Sequence, residues 1–503
     1  MTAVSIHRRH FHACAGMTTL VSRFAVALLA FSAAATVVHA EEKDKSKDGQ
    51  HHEHGPKMPL PWKGDPFPST YAPLPRSDTL IVDATILDGA GHRFDHANVL
   101  LRDGRVTAIG AQAIAAPAGA KTIDAKGRWV TPGIIDVHSH DGDFALPFTS
   151  RDLEAGDTNE ATDPVTPNVW AEHSITVQDP SFARALAGGV TTLQILPGSS
   201  NLIGGRSVVL KNVPATTVQA MKFPGAAYGM KMACGENPKN TYGSSKRFPS
   251  TRMGNVAGVR AAFADAAAYR QKWLDYESGR EDKRPDDDLK KDTLAGAIDG
   301  DIRVQWHCYR ADDMATLFDV AKEAGIHVAA FHHAVEAYKI PQLFVRNHTC
   351  AVVWSDWWGY KMEALDGIRE NAAFADAGGA CVTLHSDSPW LGQRLTLEAG
   401  KAFAAGRRAG LDIAEEHAIA WVTSNPAKVL GLDAKVGSLE PGKNADAVIW
   451  SGDPFSVYTH ADQVFIDGAL VYDRTDPARR PRADFELGQP AMPTPAKPGG
   501  RDG

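Results

Sequence analysis

One apolar run that ends in two histidines constrains this chain more than any other feature. The segment Thr131-Pro-Gly-Ile-Ile-Asp-Val-His-Ser-His140 is typical of a buried β-strand that ends in polar residues. Successive side chains of a strand alternate between its two faces, so His138 and His140 share a face, with Asp136 in register behind them. This face can offer two imidazoles to one metal ion. A solvated or hydrogen-bonded histidine pair is the other interpretation of an isolated His-x-His.

The long central region predicts the architecture. Residues 131–435 alternate strand-like and helix-like segments, and roughly 300 residues is a usual length for a (β/α)8 barrel. The apolar spacing over Ala311 to Ala324 and over Leu411 to Val422 predicts two barrel helices. Blocks rich in β-forming residues flank this region at 77–130 and 436–475. We therefore expect an α/β chain, a (β/α)8 TIM-like barrel with a small composite β-sandwich domain built from both chain ends.

The N-terminal residues predict export. Arginines precede the apolar stretch 24–38, and Val38-His-Ala40 has the small residues that a signal peptidase requires before Glu41. This pattern is typical of a signal peptide over residues 1–40. The apolar stretch is shorter than the roughly 20 residues of a membrane-spanning helix. We expect a periplasmic or secreted protein that is not membrane-bound after cleavage. The export route and the true start, Met1 or Met17, stay open.

The remaining composition narrows the class of partner. Residues 41–76 are predicted to be a flexible His/Pro-rich linker that continues as an extended wrap, and residues 476–503 a disordered tail. A formal net charge of -7 argues against a nucleic-acid partner. The five cysteines show no framework spacing, and a core of this size does not need disulfides.

A second pair of histidines lies later in the chain, and the two are separated by the length of one βα repeat. His307 and His333 each end a strand-like run, and about twenty-six residues separate them, the length of one βα unit. They should therefore emerge side by side at the C-terminal rim, where barrel active sites lie. Because side chains alternate between the two faces of a strand, the face that carries His307 does not carry Trp306 or Cys308. The face that carries His333 likewise does not carry its neighbour His332.

The last strand-like run ends in a carboxylate. Residues 380–389 form a short apolar segment that ends in Ser-Asp-Ser-Pro, and its acidic residue is Asp387. His385 lies two positions earlier on the same face, where it could support a ligand or contact a substrate. A helix cap is the alternative role for Asp387.

Taken together these segments resemble the amidohydrolase superfamily, in the branch of imidazolonepropionase-like and prolidase-like metal-dependent hydrolases. The resemblance covers nearly the whole predicted mature chain. Besides the first strand, it is carried by Ala187-Gly-Gly-Val-Thr-Thr192, Pro197-Gly-Ser-Ser-Asn-Leu-Ile-Gly-Gly205, Lys231-Met-Ala-Cys-Gly-Glu-Asn-Pro238, His307-Cys-Tyr-Arg-Ala-Asp-Asp313 and His333-Ala-Val-Glu-Ala-Tyr338. The chain departs from the branch at Tyr309, where a histidine often stands, and at Ala334-Val335. These departures put the substrate in doubt more than the metal site.

The resemblance implies a metal centre of one or two divalent ions, usually Zn²⁺. Its implied ligands are His138, His140, His307, His333 and Asp387. A bridging carboxylate would be Glu236 or a carboxylated Lys231; the odd spacing between them allows only one to face the barrel axis. We favour Glu236, because it lies nearer the expected C-terminal rim and Lys231 would lie deep.

Such a site predicts hydrolysis of a C–N bond in an amide, a dipeptide or a cyclic amide. Metal-activated hydroxide would attack, with Asp387 as general base and then general acid. The residues expected to bind the small-molecule substrate are Ser200, Asn201, Tyr309, Arg310 and His385. A buried salt bridge to Asp312 or Asp313 is the alternative for Arg310. Trp357 and Trp358 suit a lid or a subunit contact as well as a substrate.

Two other functions and the oligomeric state stay open. A deaminase of a nitrogen heterocycle would use the same metal chemistry, and a non-catalytic periplasmic metal-binding protein would keep the barrel without turnover. Assays of ammonia release and dipeptide cleavage would separate these functions. A homo-oligomer is compatible with the sequence.

Overall fold

The computed structural model describes residues 59–146 and 156–479. The predicted signal peptide, the histidine-rich part of the linker and the tail from residue 480 lie outside the described residues. Within the described part, no helix combines the length and the apolar character needed to cross a membrane.

The described residues form sixteen strands and eleven α-helices, joined by loops and short 3-10 turns. The strands are β1 (Thr79–Leu87), β2 (Arg93–Arg102), β3 (Arg105–Gly110), β4 (Lys121–Asp124), β5 (Trp129–Pro132), β6 (Ile134–Ser139), β7 (Val190–Ile195), β8 (Ile203–Lys211), β9 (Gly229–Ala233), β10 (Arg303–Cys308), β11 (Val328–His333), β12 (Cys350–Val353), β13 (Cys381–Leu384), β14 (Ala447–Trp450), β15 (Ala461–Ile466) and β16 (Ala469–Asp473). The α-helices are α1 (Pro180–Ala187), α2 (Val218–Met221), α3 (Glu236–Gly243), α4 (Arg252–Glu277), α5 (Leu289–Asp299), α6 (Ala311–Ala324), α7 (Pro341–Arg346), α8 (Asn371–Ala377), α9 (Leu395–Arg408), α10 (Glu415–Ala418) and α11 (Ser424–Leu430). The 3-10 turns are Ala171–His173, Ala337–Lys339, Met362–Ala364, Gly392–Arg394, Ile419–Val422 and Pro477–Arg479.

Strands β6 to β13 form one barrel-like sheet in chain order. Most neighbours are parallel, but β8 runs antiparallel to both β7 and β9. A regular (β/α)8 barrel would run parallel throughout. Only residues 196–202 connect β7 to β8, whereas a parallel crossover needs about a dozen residues or more, so β8 must return antiparallel.

The two ends of the barrel sheet meet next to the predicted site. Just beyond β13, the backbone N–H of Asp387 donates to the carbonyl of His138 at 2.9 Å. One residue earlier, the N–H of Ser386 donates to the Asp136 carboxylate at 3.3 Å. These bonds bring the residues that follow β13 against the first histidine strand.

A second sheet combines strands from both sides of the barrel region. Its order is β16-β15-β14-β5-β1-β2-β3, with β4 paired to β1. The joining pair is β14 with β5, where Trp450 lies opposite Trp129. One sheet therefore contains strands from both ends, and its division into the two layers of a sandwich stays a prediction.

One predicted barrel helix is confirmed and the other is shorter than expected. Helix α6 spans Ala311–Ala324, as its apolar spacing predicts. The prediction of a helix from Leu411 is wrong, because α10 begins at Glu415. The backbone N–H of Leu411 instead donates to the carbonyl of Gly406 after a left-handed Gly410, a bond that ends α9.

The described part of the predicted linker packs against the barrel. Trp62 is buried and its indole N–H donates to Asp299 at 2.8 Å, while its ring lies beside Tyr269. Further along, the Tyr71 hydroxyl donates to Asp467 at 2.6 Å. From residue 59 this segment therefore runs along the surface of the fold and is held there by the contacts of Trp62 and Tyr71.

Two disulfides join neighbouring barrel strands, contrary to the expectation that the core would do without them. Cys234, just after β9, pairs with Cys308 at the end of β10, and Cys350 pairs with Cys381 across β12 and β13. The second pair occupies directly opposite register positions. Strand register brings these cysteines together, and linear spacing does not reveal it.

Candidate active site

Eight polar side chains from five barrel strands converge at one end of the sheet. They are His138 and His140 at the end of β6, Lys231 on β9, His307 on β10, His332 and His333 on β11, and His385 and Asp387 just after β13. All of them are buried except Asp387, whose side chain is 21% exposed. We call this set the histidine cluster.

One corner of the cluster joins the His-x-His pair to the acidic residue. Asp387 Oδ1 lies 3.3 Å from His138 Nε2 and 3.1 Å from His140 Nε2. The Nδ1 atom of His140 donates to the carbonyl of Leu196 at 2.8 Å, so its Nε2 lone pair faces Asp387. These three side chains lie close enough to share one cation.

A second corner shares His138. The ligand atoms of His138, His333 and His385 all lie within 4.8 Å of one another. The His307 ring lies next to this group, with its centroid 4.3 Å from that of His333. The structure thus brings the four predicted histidines and Asp387 together, and it adds His385 to the group of ligand atoms.

Several buried nitrogens of the cluster have no hydrogen-bond partner among the described residues. They are both ring nitrogens of His307 and His385 and the Nδ1 atom of His333. Leaving such groups unpaired costs about 1–3 kcal/mol each. Burial lowers the pKa of His385 to about 3 and those of His307 and His333 well below the ordinary value, so these rings are neutral and can bind metal. The orphaned nitrogens and the neutral donors fit a divalent metal ion.

His332 also faces the cluster, and the expectation that His333 would exclude it is wrong. Strand β11 ends with a positive φ of 70° at His333, which breaks the alternation of faces. His332 Nε2 donates to the Gln305 side-chain carbonyl at 2.7 Å, so its Nδ1 accepts from His138 Nδ1 at 3.0 Å. These hydrogen bonds place the proton of His138 on Nδ1, so its Nε2 lone pair faces Lys231 and Asp387.

The structure places Lys231, and not Glu236, in the histidine cluster. The Lys231 Nζ atom lies 3.0 Å from His138 Nε2, and burial lowers the pKa of this amine to about 7. Glu236 begins α3, and its carboxylate accepts from the backbone N–H of Glu363 at 3.3 Å. Among the described residues, the groups close enough to share a cation do not include Glu236. The sequence favoured Glu236 because Lys231 would lie deep, but the whole cluster lies deep.

The Asp136 carboxylate accepts hydrogen bonds from the backbone beneath the cluster. Its Oδ1 atom accepts from the N–H groups of His138 and Ser386 at 3.2 Å and 3.3 Å. Asp136 is fully buried, and burial raises its pKa to about 6. One carboxylate thus ties the first histidine strand to the segment that carries Asp387.

Two cavities flank the cluster. The first, the polar cavity, has a volume of about 480 Å³ and is lined by His140, Phe144, Thr158, Asn159, Gly198, Ser199, Ser200, Glu236, Asn237, Asn240, Thr241, Lys361 and Asp387. The second, the tryptophan pocket, has a volume of about 270 Å³ and is lined by His333, Val335, Trp354, Asp356, Trp357, Trp358, Gly367, Ile368, Arg369 and Asn371. The cluster is therefore accessible from two sides.

The residues predicted to bind substrate lie in different places. Ser200 lines the polar cavity. Tyr309 lies beside it, stacked on His333 with its hydroxyl 2.7 Å from that of Tyr360. His385 lies in the cluster itself.

The other two predicted substrate residues, Asn201 and Arg310, lie outside both cavity linings and outside the histidine cluster. The Asn201 amide group donates to backbone carbonyls of the 160–163 loop at 2.6 Å and 2.8 Å, so Asn201 braces that loop. The Arg310 guanidinium pairs with Asp312 at 2.9 Å, as the alternative predicted, but this salt bridge is partly exposed and not buried.

Lys361 is a functional candidate that the sequence did not reveal. Its Nζ atom donates to Asn237 at 2.8 Å and to the Tyr309 hydroxyl at 3.1 Å, at the wall of the polar cavity. Lys361 directly follows the aromatic stretch 354–360, and a lone cation next to clustered aromatic residues was the available signal. Because Lys361 is far in sequence from every predicted ligand, the sequence did not indicate that it would lie near them.

Comparison with known proteins assigns the chain to a family. A model of the amidohydrolase family matches residues 129–473, which cover both the barrel and the C-terminal strands. The chain belongs to the amidohydrolase family. The fold of this amidohydrolase resembles a crystal structure of an amidohydrolase from Thermotoga maritima MSB8, with 36% identity, a TM-score of 0.72, and coverage of 79% of this chain and 100% of the other.

Two curated relatives differ in length. The chain is 32% identical over 457 residues to amidohydrolase tasK of Hapsidospora irregularis, a match that spans 86% of this chain and 44% of that relative. It is 26% identical over 423 residues to imidazolonepropionase of Rhizorhabdus wittichii, spanning 75% of this chain and 94% of that enzyme. These hydrolase relatives support an enzyme of the class that acts on C–N bonds.

Proposed function

We propose that this amidohydrolase is a metal-dependent hydrolase that cleaves the C–N bond of a small amide, a dipeptide or a cyclic amide. The observation that carries the proposal is the convergence of six histidine rings with Asp387 and Lys231 between two cavities. The unpaired ring nitrogens of His307, His333 and His385 support a bound cation.

The chain offers a defined set of metal ligands. They would be His138, His140, His307, His333 and Asp387, and His385 and a carbamate on Lys231 would add further donors. Nitrogen and oxygen donors suit Zn²⁺, which lowers the pKa of water toward about 7 and polarises a carbonyl group when bound. The number of ions follows from whether Lys231 carries a carboxyl group.

Asp387 is placed to move the proton. Its Oδ1 atom lies between two imidazoles, and the side chain reaches the polar cavity. In hydrolysis, water forms the new C–O bond, Asp387 accepts a water proton, and the same carboxyl group returns that proton to the nitrogen as the C–N bond breaks. The hydrogen-bonded chain from Gln305 through His332 keeps His138 in one tautomer during these steps.

Export of the mature chain is part of the proposal. All four cysteines of the described residues are paired in disulfides, which persist in oxidising compartments such as the periplasm. Fractionation of cells that express the full chain or a chain without residues 1–40 tests this location. Recovery of the full chain in the reducing cytosol would contradict it.

The activity test uses the full-length protein after reconstitution with Zn²⁺. Ammonia release and amine release are measured on N-acyl amino acids, dipeptides and cyclic ureas, and bound metal is measured by mass spectrometry. Asp387→Asn is expected to lower kcat by at least about a hundredfold, as loss of general acid–base catalysis predicts. The control Asp319→Asn changes an exposed carboxylate on α6 and should retain full activity.

Each alternative has its own outcome. Zinc binding without turnover of any substrate would identify a non-catalytic metal-binding protein. Ammonia release from a nitrogen heterocycle, without cleavage of any amide, would identify a deaminase.

A further inference from the structure

The tryptophan pocket has an aromatic wall that begins at the histidine cluster. The Trp354 ring lies 4.2 Å from that of His333, centroid to centroid, and Trp357 stacks on Trp354 at 4.9 Å with an interplanar angle of 9°. Trp358, Val335 and Ile368 complete the apolar lining. Flat parallel rings beside a reactive centre favour a flat apolar group in the ligand.

The size of this pocket suits one side chain. Its volume of about 270 Å³ falls below the roughly 300–1,000 Å³ of pockets that hold a whole drug-sized ligand. Gly367 forms part of the lining, and a Cβ atom added there would lie 3.3 Å from Val335. The remainder of a substrate would extend past the cluster into the larger polar cavity.

The pocket also contains one cation without an ion-pair partner among the described residues. Its two charged lining residues are Asp356 and Arg369. Asp356 is paired with Lys401 at 2.8 Å, whereas Arg369 is exposed at the mouth and forms no ion pair with a described residue. A free guanidinium is a bidentate partner for a carboxylate.

Two other polar side chains of the lining, Trp354 and Asn371, are buried. The indole N–H of Trp354 is buried and has no acceptor among the described residues. The amide of Asn371, by contrast, is engaged with the backbone of Tyr338 and Ala334. The pocket therefore offers an aromatic wall and one cation to its ligand.

We propose, on the basis of the proposed function, that the tryptophan pocket binds the side chain and the α-carboxylate of an aromatic amino acid. The substrates would be N-acyl aromatic amino acids and dipeptides with a C-terminal aromatic residue. Hydrolysis breaks their amide C–N bond, the acyl carbon gains the water oxygen, and the aromatic amino acid leaves with the proton on its nitrogen. Arg369 is the specificity-determining residue for the carboxylate, and the polar cavity takes the acyl part.

The kinetic test varies the substrate and Arg369 together. Glycyl-L-phenylalanine and N-acetyl-L-phenylalanine are compared with N-acetyl-L-alanine, which lacks the ring, and N-acetylphenethylamine, which lacks the carboxylate. Wild-type kcat/KM should fall about tenfold to a hundredfold when either group is missing, as loss of a charge-assisted hydrogen bond or a buried ring predicts. Arg369→Gln should abolish the preference for the carboxylate, mainly through KM.

A matched control and a binding measurement complete the test. Arg346→Gln changes another exposed arginine, on α7 and outside both cavities, and should leave every constant unchanged. Quenching of tryptophan fluorescence by L-phenylalanine, measured on metal-free protein, should be present in the wild type and lost in Arg369→Gln.

The outcomes separate this inference from the proposed function. Equal turnover of N-acetyl-L-alanine and N-acetyl-L-phenylalanine, unaffected by Arg369→Gln, would overturn the pocket assignment and leave C–N hydrolysis standing. Arg369-dependent binding of L-phenylalanine without turnover of any substrate would support the pocket and contradict the hydrolase. Neither binding nor turnover would overturn both.

Discussion

The Lys231 Nζ atom lies 3.0 Å from His138 Nε2, and both side chains are buried. A protonated amine so close to a metal-ligating imidazole would compete with the metal. A carbamate on the same nitrogen would instead supply two oxygen ligands. This pair therefore links the chemical state of one lysine to the number of metal ions held.

Lys231→Met is expected to lower the bound metal by about one ion per chain, because it removes the nitrogen that would carry the carbamate. Glu236→Gln, its matched control, should keep the wild-type metal content. Both variants are reconstituted with Zn²⁺ and bicarbonate, and metal is counted by mass spectrometry. Metal loss in Glu236→Gln but not in Lys231→Met would return the bridging role to Glu236.

His307→Ala should lower bound metal and abolish hydrolysis while the fold persists. Both ring nitrogens of His307 are buried without a partner among the described residues, so the metal-free fold loses no hydrogen bond with the ring. Barrel stability resides in the strand layers below the rim. Metal content, turnover and the thermal midpoint in chelator are the measurements. Retention of full activity would remove His307 from the site.

Asp136→Ala should destabilise the barrel where its ends meet. The substitution leaves the buried N–H groups of His138 and Ser386 without an acceptor, at a cost of about 1–3 kcal/mol each. Asp136→Asn keeps an oxygen acceptor and should lose less. Thermal denaturation of the two metal-free variants measures the difference, and equal losses would show that these hydrogen bonds contribute nothing.

The two disulfides should differ in their effect on metal binding. Replacing Cys234 and Cys308 by serine removes the link between the strands that carry Lys231 and His307, so metal content and stability should both fall. Replacing Cys350 and Cys381 should lower stability alone. Loops of 74 and 31 residues predict that the first loss is the larger by about 0.8 kcal/mol.

Thermal denaturation and metal analysis of both double variants test this difference. If only the second pair affected metal content, the strands joined by Cys234 and Cys308 would not position the site.

The aromatic segment 354–360 shows which part of the tryptophan pocket the sequence could predict and which part it could not. Trp357 and Trp358 stood out by residue type, but nothing in the linear order indicated that Arg369 would share their pocket. A pocket of this kind forms only when separate loops fold over the same strand end.

The sequence by itself determined the local relationships. Alternation along one strand placed His138 and His140 on a common face, and the length of one βα unit predicted His307 beside His333. Strands before and after the central region predicted a sheet made from both ends. Each of these follows from a backbone period or a repeat length, which acts over a few residues and is written in the chain.

Only the tertiary structure determined how deep the site side chains lie, which cysteines pair and in which direction β8 runs. It brought Lys231 to the cluster, turned His332 inward through the positive φ of His333, reversed β8 and joined the four cysteines. These features depend on how the barrel closes and on which strands become neighbours. That outcome is set by packing over the whole sheet, and no single segment contains it.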